Sequence, residues 1–395
     1  MYYARTMVLN RSLLYDPNIG LQAARLYGDI ADHAYYFVDV IVGNPPQRVS
    51  VILDTGSGLC AFPCKQCKHC GSHVDPNFDF GSSRTAAWLT CGECGNGKCE
   101  SGKCGYYQGY TEGSSIRGFW FRDEISIGDM LQHNPPILAQ MGCHNDENRL
   151  FFTQRANGIL GISANPSQPT LLSQLLSSPA VGSRVFTICL AEFGGRWTVG
   201  GVNSSYHLGP IVWVPMKSDR FYEVAPEQML VGDTVVGSLG DFGRTIVDSG
   251  TTYTYLTAQV YLRLKTAVEN GCSKGACGAK KQGNCWVVSS GLDRFPTITL
   301  KLAGVELAWH PKSYLYRKGS SQTWCPGYAS NAPARETVLG ATWMVHSDVI
   351  FDVGGDRLGV ASARCPEYRQ RPQGPVGERS EARVETGTPT LAPPV

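Results

Sequence analysis

The chain has 395 residues, of which 42% are hydrophobic and 17% are charged, and its formal net charge is +2. This composition excludes a wholly disordered chain, and the length fits two or three domains or one large two-lobed body. The near-neutral net charge provides no electrostatic field that would favour nucleic acid as a partner. We therefore expect individual side chains, and not the overall charge, to determine which ligand binds.

The first segment, residues 1–33, is predicted to be an N-terminal extension or the remnant of a propeptide. Met1 to Gln22 contain no continuous apolar stretch of the kind found in signal peptides. No run of about 18 consecutive apolar residues occurs anywhere, so we expect no membrane anchor within this chain.

Short runs of Tyr, Phe, Val and Thr, bounded by many of the 45 glycines and 23 prolines, predict a chain that is mainly β. One such run ends in Val51-Ile52-Leu53-Asp54-Thr55-Gly56-Ser57, in which an aliphatic strand leads to Asp, a hydroxyl residue and Gly. A single Asp-Thr-Gly of this kind is typical of an ordinary turn.

Eight of the 15 cysteines lie in a Gly-rich, weakly hydrophobic segment, residues 60–104. Several follow spacings that are also found in zinc sites, Cys64-x2-Cys67-x2-Cys70 and Cys91-x2-Cys94. So many cysteines are more typical of an oxidising compartment, where thiols pair with each other, so we predict disulfides and no metal. The odd total leaves at least one thiol free or bonded to another chain, and the connectivity stays open.

The next segment, residues 105–118, predicts a β-hairpin. Glycines flank a strand pattern that contains Tyr106, Tyr107 and Tyr110, which suits a mobile lid over a cleft. The alternative is an ordinary surface hairpin with exposed aromatic side chains.

A second copy of the strand and Asp pattern occurs in residues 245–251, and its Asp248 lies 194 positions after Asp54. After each copy comes a second shared element, which consists of two apolar residues followed by glycine. It occupies residues 158–161 after the first copy and residues 337–340 after the second. The spacing from the Asp to that last Gly is 107 positions in the first copy and 92 in the second. Two lobes of similar length are therefore predicted, the first enlarged by the cysteine-rich segment.

The paired motifs can form a catalytic site if the two lobes face each other. An Asp at the end of a buried strand presents its carboxylate to a cleft, and two carboxylates that meet there cannot both be ionised. The pair can hold a water, with one member as general base and the other polarising a carbonyl, which hydrolyses an amide without a covalent intermediate or a cofactor. The hydroxyls of Ser57 and Thr251, three residues after each Asp, are spaced to bind the outer carboxylate oxygens.

At these residues the sequence resembles the pepsin-like aspartic peptidases, over residues 34–365. Residues 37–47 look like the strand and turn before the first catalytic Asp of that family, and residues 351–361 look like its closing strands. The resemblance implies a mainly β, bilobal pepsin-like fold with an N-terminal lobe at 34–205 and a C-terminal lobe at 206–365. It implies Asp54 and Asp248 as catalytic residues, supported by Thr55, Gly56, Ser57, Ser249, Gly250 and Thr251.

The same resemblance assigns the hairpin as the flap that closes over substrate. Tyr110 matches the flap tyrosine of the family, and Tyr107 is the second choice.

The cysteine-rich segment resembles the insert of nepenthesin-type aspartic peptidases, which follows the first motif directly. This likeness implies the pairs Cys189 with Cys365 and Cys285 with Cys325, a local bond between Cys272 and Cys277, and Cys143 joined to the insert. The candidates for disulfide bonds are Cys60, Cys64, Cys67, Cys70, Cys91, Cys94, Cys99, Cys104, Cys143, Cys189, Cys272, Cys277, Cys285, Cys325 and Cys365.

One subfamily is more similar than the plant digestive enzymes: residues 110–114 and 152–158 look like plasmepsin V and its apicomplexan relatives. These enzymes cleave after Leu in Arg-x-Leu export motifs, and the resemblance implies that Glu112 and Gln154 hold the substrate Arg while Tyr110 and Gly113 belong to the flap. Thr111 stands where plasmepsin V has a cysteine, so the detailed behaviour of that flap does not carry over.

We therefore predict an aspartic endopeptidase of the secretory pathway, in the endoplasmic reticulum or Golgi lumen, or a secreted one. We expect a monomer that binds a peptide or protein substrate, or a peptidomimetic transition-state inhibitor, in its cleft. Three alternatives stay open: a broad acid digestive peptidase, a non-catalytic binding protein on the same fold, and a cysteine-rich adhesion or metal module.

The C-terminal segment, residues 366–395, changes composition to Arg, Gln, Glu, Gly, Thr and Pro. Such a stretch cannot bury enough apolar surface to fold, so it is predicted to be a disordered tail.

Overall fold

A computed structural model describes residues 20–94, 98–129, 134–164, 170–319 and 321–372 of the chain. The strands before residue 200 are β1 (Gln22–Asp29), β2 (Tyr35–Val42), β3 (Gln47–Asp54), β4 (Cys60–Pro63), β5 (Ala87–Trp88), β6 (Lys98–Glu100), β7 (Lys103–Gly109), β8 (Ser115–Ile127), β9 (Ile137–Glu147), β10 (Gly158–Gly161), β11 (Val185–Leu190) and β12 (Gly195–Val199).

The strands after residue 200 are β13 (Val212–Pro215), β14 (Lys217–Ser218), β15 (Tyr222–Val224), β16 (Pro226–Val231), β17 (Thr234–Ser238), β18 (Arg244–Val247), β19 (Thr254–Leu256), β20 (Ala279–Gln282), β21 (Cys285–Val288), β22 (Ile298–Leu302), β23 (Val305–Trp309), β24 (Leu315–Arg317), β25 (Thr323–Pro326), β26 (Tyr328–Ser330), β27 (Glu336–Leu339), β28 (Ser347–Asp352) and β29 (Arg357–Ser362). The helices are α1 (Arg149–Thr153), α2 (Leu171–Leu176), α3 (Ala258–Gly271), α4 (Pro311–Tyr314) and α5 (Ala341–Met344).

One 15-stranded sheet joins the two lobes. Its order is β13-β29-β28-β11-β12-β1-β2-β3-β10-β4-β9-β8-β7-β6, with β5 added beside β8. The other strands of the second lobe form a six-stranded sheet, β14-β15-β18-β27-β19-β26, and two four-stranded sheets, β17-β16-β22-β23 and β20-β21-β25-β24. The mainly β, bilobal fold that the sequence predicts is confirmed.

The two sequence repeats occupy equivalent places in the two lobes. In the first lobe β3 pairs in parallel with β10, so that Asp54 lies opposite Gly161. In the second lobe β18 pairs in parallel with β27, and Val247 lies opposite Leu339. Each Asp therefore follows a strand that is fixed by the second element of its own repeat.

The core is built by the buried faces of these sheets. Phe186 on β11 and Phe351 on β28 stack with ring centroids 4.5 Å apart, and Trp197 is 0% exposed beside them in the same continuous cluster. Because β11 lies near the middle of the chain and β28 near its C-terminal part, this packing joins segments that are distant in sequence.

The ordered chain begins earlier than predicted. Residues 22–29, expected to belong to an N-terminal extension, form β1 in the interior of the large sheet, where Leu26 pairs with Val38 of β2 and Gly195 of β12. The alternating buried positions, with Ala24 and Leu26 at 0% exposure, are the period-two signal of a strand. Residues 1–19 of that expected extension lie outside the described residues.

The ordered chain also ends later than predicted, because Arg371 of the expected disordered tail is held by two buried acids. Its Nη2 lies 2.7 Å from an oxygen of Asp39 and 2.6 Å from an oxygen of Asp75, and all three side chains are at most 10% exposed. A charge-assisted network of this kind orders a segment that its composition alone would leave mobile. Residues 373–395 of the expected tail lie outside the described residues.

The structure pairs 14 of the cysteines, and four of the seven disulfides lie in the first lobe. These four are Cys64–Cys143, Cys67–Cys70, Cys91–Cys99 and Cys94–Cys104. The other three are the pairs that the resemblance implies, Cys189–Cys365, Cys272–Cys277 and Cys285–Cys325.

Cys60, a disulfide candidate in the sequence, is instead a free and buried thiol. It begins β4, whose four residues are all buried in the large sheet, so the thiol is surrounded by packed chain rather than by another cysteine. The cysteine-rich insert consequently starts after Pro63 and not at Cys60. None of the helices in the described residues is long and apolar enough to cross a membrane.

Candidate active site

Asp54 and Asp248 are presented at equivalent positions of the two lobes. Asp54 is the last residue of β3, whose final six residues are all buried, and Asp248 follows the buried end of β18. The backbone oxygen of Asp54 accepts from Ile162 N at 2.8 Å, and Asp248 N donates to Leu339 O at 3.0 Å. A backbone hydrogen bond to the second element of its own repeat, or to the residue that follows it, therefore holds each aspartate.

The two carboxylates have matching hydrogen-bond partners. The inner oxygen of each accepts from the backbone N–H of a motif glycine, Gly56 at 2.8 Å and Gly250 at 2.9 Å. The outer oxygen of Asp54 accepts from the hydroxyl of Ser57, and that of Asp248 accepts from Thr251 Oγ1 at 2.6 Å. These are the contacts that the spacing of the two hydroxyl residues predicts.

The residues between each Asp and Gly bind across the lobe boundary. Thr55 N donates to Ser249 Oγ at 3.1 Å, and Ser249 N donates to Thr55 Oγ1 at 2.9 Å. Each hydroxyl also donates to the facing strand, Thr55 to Val247 O at 2.9 Å and Ser249 to Leu53 O at 2.7 Å. Since both side chains are buried, these four bonds fix the approach of the two motifs.

The two carboxyl groups meet at the boundary between the lobes. The motif glycines permit this approach, because a Cβ on Gly56 would lie 2.7 Å from the Asp248 carboxylate and one on Gly250 would collide with Asp54. Burial, the adjacent charge of Asp248 and a hydrogen bond shared with Asp248 raise the pKa of Asp54 well above its ordinary value, against the opposing effect of Ser57. The pair thus retains a proton at a pH where free carboxylates have lost theirs.

The predicted lid is the hairpin of β7 and β8, which pair from Gly105 opposite Phe119 to Gly109 opposite Ser115. At its turn Tyr110 packs on Phe151 of α1 with ring centroids 4.9 Å apart. Burial and the neighbouring charge of Asp54 raise the pKa of Tyr110 well above its ordinary value, against the opposing effect of Ser57. Tyr107, the second choice, points away and is 70% exposed.

The other flap residues form the exposed turn. Tyr110 N donates to Ser114 O and Gly113 N donates to Tyr110 O, both at 2.9 Å, with Thr111 and Glu112 between them in solvent. Arg149 at the start of α1 donates from Nη1 to the backbone oxygen of Glu112 at 3.5 Å. The flap turn is therefore attached to α1 while the Glu112 carboxylate stays exposed.

Gln154 caps the other end of α1, and its backbone N–H donates to Leu150 O. Its side-chain Nε2 donates to Ala156 O at 3.1 Å, and no residue in the described ranges donates to Oε1. The amide oxygen is thus an available acceptor. Glu112 and Gln154 do not contact each other, but both are attached to the same five-residue helix, which is about 7 Å long.

Three residues beside this region were not identified from the sequence: His73, His144 and Glu147. His73 Nε2 lies 3.1 Å and His144 Nδ1 lies 2.9 Å from oxygens of Glu147, and all three side chains are 0% exposed. They join the cysteine-rich insert to β9. No motif marks them, since His73 and Glu147 are 74 positions apart, and only the pairing of buried acid and base in three dimensions reveals them.

The fold and the paired aspartate motifs define the class of protein as a pepsin-like aspartic endopeptidase. The chain belongs to the eukaryotic aspartyl protease family, which matches residues 35–363. The family and the class of enzyme predicted from the sequence are confirmed.

Similar proteins include two from apicomplexan parasites. Aspartic protease 5 of Toxoplasma gondii is 34% identical over 89% of this chain, which spans 39% of the length of that relative. Plasmepsin V of Plasmodium falciparum is 27% identical over 87% of this chain and 73% of its own length. Human gastricsin is 25% identical over 84% of this chain and 82% of its own length.

Proposed function

We propose that this chain hydrolyses peptide bonds with Asp54 and Asp248 as a dyad that holds one proton and one water. The ionised carboxylate takes a proton from the water as it attacks the carbonyl carbon, and the protonated carboxyl gives its proton to the carbonyl oxygen. The tetrahedral diol then collapses: the leaving nitrogen receives a proton from the dyad, the C–N bond breaks, and a diol hydroxyl returns its proton to the dyad as the carboxylic acid forms. The matched hydrogen-bond partners of the two facing carboxylates are the observation that carries this assignment.

The substrate we propose is a protein of the secretory pathway cleaved after Leu in an Arg-x-Leu export motif. Glu112 supplies an exposed carboxylate at the flap tip, and Gln154 supplies a free amide oxygen at the far end of α1. When the flap closes on a peptide, the two acceptors can share one guanidinium two residues before the cleaved Leu. The similarity to plasmepsin V supports this substrate class.

Arginine fits two separated acceptors better than lysine does. The guanidinium is a planar fork with five donors, so one side chain can satisfy a carboxylate and an amide oxygen together, whereas an ammonium is a point charge. A substrate that leaves Glu112 unpaired in a closed cleft loses binding energy as well. Discrimination between Arg and Lys is therefore the signature of this site.

The disulfides and the similar proteins support a secretory or lumenal location. The chain contains seven disulfides, and disulfides persist in oxidising compartments. We propose the endoplasmic reticulum or Golgi lumen, with secretion as the alternative.

The test uses three peptides that differ only in Arg, Lys or Ala two residues before the cleaved Leu. The wild-type enzyme should cleave the Arg peptide with kcat/KM about tenfold or more above that of the Lys peptide. Glu112→Ala should remove most of this preference while cleavage of the Ala peptide persists. Glu227→Ala, at an exposed acid of the second lobe, is the matched control and should leave the preference unchanged. Equal cleavage of all three peptides would reject the export-motif substrate and leave a broad digestive peptidase.

A further inference from the structure

A buried acid and base cluster lies beneath α1, outside the dyad. Glu147 ends β9, and its two carboxylate oxygens bind different histidines: Oε2 with His73 Nε2 at 3.1 Å and Oε1 with His144 Nδ1 at 2.9 Å. The backbone N–H of Gly71 donates to Oε2 at 3.2 Å. The three side chains are 0% exposed.

The partners of His73 define its charge. Its Nε2 faces the Glu147 carboxylate, and its Nδ1 lies 3.1 Å from the backbone oxygen of Gln154. Both partners accept hydrogen bonds, so both ring nitrogens of His73 must donate. The His73 ring is therefore the protonated imidazolium, and it faces the ionised carboxylate of Glu147. His144 needs only one proton, since its Nδ1 donates to Glu147 and its buried Nε2 has no partner among the described residues.

The cluster connects to the residues that we assign to arginine recognition. His73 bonds directly to the backbone of Gln154, and the ring of His144 lies 6.4 Å from Phe151, on which the flap Tyr110 packs. We propose that His73 is a positioning residue for specificity: its protonated ring joins Glu147 to the Gln154 carbonyl and so holds the Gln154 amide oxygen where a substrate guanidinium can reach it. This inference rests on the proposed Arg-x-Leu substrate.

Loss of the proton would break this arrangement. A neutral His73 can donate from one nitrogen only, so its lone pair would face either Glu147 or the Gln154 oxygen without a hydrogen bond. Although burial opposes the charge, the hydrogen bond and the charge of Glu147 raise the pKa of His73 above its ordinary value of about 6.5. Since the protonated form makes both bonds, the arrangement is present below this raised pKa and is lost as the pH rises through it.

The other buried titratable groups that face the cluster keep the same charge while His73 loses its proton. Burial lowers the pKa of His144, against the opposing effect of Glu147. Although burial would raise the pKa of Glu147, the hydrogen bonds from His144 and His73 lower it. From the neighbouring strands, burial raises the pKa of Tyr106 well above its ordinary value and that of Cys60 to about 12. His69 and Asp146 form their own exposed pair, 3.2 Å apart.

The test measures the ratio of kcat/KM for the Arg and Lys peptides in the wild-type enzyme from pH 5 to pH 9. Both peptide side chains stay charged up to about pH 9, and the dyad acts on both peptides, so its own pH dependence cancels in the ratio. The ratio should be constant at acidic pH and fall by about tenfold as the pH rises through the pKa of His73. This measurement needs no variant.

The ratio of kcat/KM for the Arg and Lys peptides, measured in two variants, shows whether His73 causes the pH dependence. His73→Phe keeps a ring but removes both donors, and should give a low ratio at every pH with the Ala peptide still cleaved. His69→Phe is the control, because the His69 side chain lies in the same segment and is 65% exposed, with its ring 5.2 Å from that of Phe152. This variant should retain the wild-type profile.

The outcomes separate the two proposals. An Arg preference that is independent of pH in the wild-type enzyme, or one that persists in folded His73→Phe, would overturn the role of His73 alone. The absence of any Arg preference at any pH would reject the proposed substrate, and the positioning role with it.

Discussion

Thr55 and Ser249 exchange backbone-to-hydroxyl hydrogen bonds across the two lobes, at 3.1 and 2.9 Å, although they are 194 positions apart. Thr55→Val keeps the shape of the side chain but leaves Ser249 N and Val247 O buried without a partner. Each such group costs about 1–3 kcal/mol, so we expect the free energy of unfolding to fall by roughly 2–6 kcal/mol and kcat to fall with it. Denaturant unfolding and peptide cleavage measure the two effects.

The control for this change is Thr266→Val on α3, where an exposed hydroxyl bonds to Leu262 O within its own helix. It should alter stability by well under about 1 kcal/mol. A Thr55→Val protein with wild-type stability and turnover would show that the lobe contact does not position the dyad.

Asp54→Asn should abolish turnover without unfolding the protein, with a loss of about 10³-fold or more. Its effect on stability has a definite sign. The pKa of Asp54 is raised in the folded protein by burial and by Asp248, so the stability linked to its proton is present at acidic pH and is lost as the pH rises through that pKa. Because Asn does not ionise, the stability of the variant should depend less on pH. The variant should also be at least as stable as the wild type at pH 7 to 8. Thermal melts from acidic pH to pH 8 measure both effects.

A thiol count tests the cysteine assignment. Denatured, non-reduced protein should contain one thiol, that of Cys60, because the other 14 cysteines are paired. Burial raises the pKa of this thiol to about 12, so in the native state it should react with iodoacetamide about 10³-fold more slowly than a free cysteine. Many reactive thiols together with stoichiometric zinc would instead indicate a metal module.

Gly113→Ala should impair the flap. Gly113 has φ of +89°, and a Cβ there would also collide with the Arg149 guanidinium that binds the same turn. The strain of about 1 kcal/mol should displace the turn that carries Glu112 and lower kcat/KM for the Arg peptide. Gly109→Ala is the matched control, since its Cβ would meet only Tyr107 at an ordinary 3.7 Å, and equal losses in both variants would argue against this account.

The sequence predicts the parts of the site that local motifs encode. Asp54 and Asp248 are recognisable because the same apolar strand and hydroxyl residues surround each, and the structure brings their motifs together at the lobe boundary. The hydroxyls of Ser57 and Thr251 contact the carboxylates because three residues of a tight turn bring them there.

Contacts between distant segments were not predicted. Arg371 lies in a polar tail, and its burial against Asp39, 332 positions away, and against Asp75 explains its order. The pair of His73 and Glu147 is equally remote in sequence, and an isolated histidine in a cysteine-rich segment indicates neither charge nor partner. Cys60 was grouped with its neighbours by spacing, whereas its place in β4 depends on the pairing of that strand with β10.

The central claim is that a two-aspartate peptidase recognises Arg two residues before a cleaved Leu, and cleavage of a proteome-derived peptide library measures both parts at once. The account predicts that the wild-type enzyme yields products enriched in Leu at the cleaved position and in Arg two residues earlier, and that folded Asp248→Asn yields none. Cleavage by folded Asp248→Asn, or wild-type products without Arg enrichment, would contradict it.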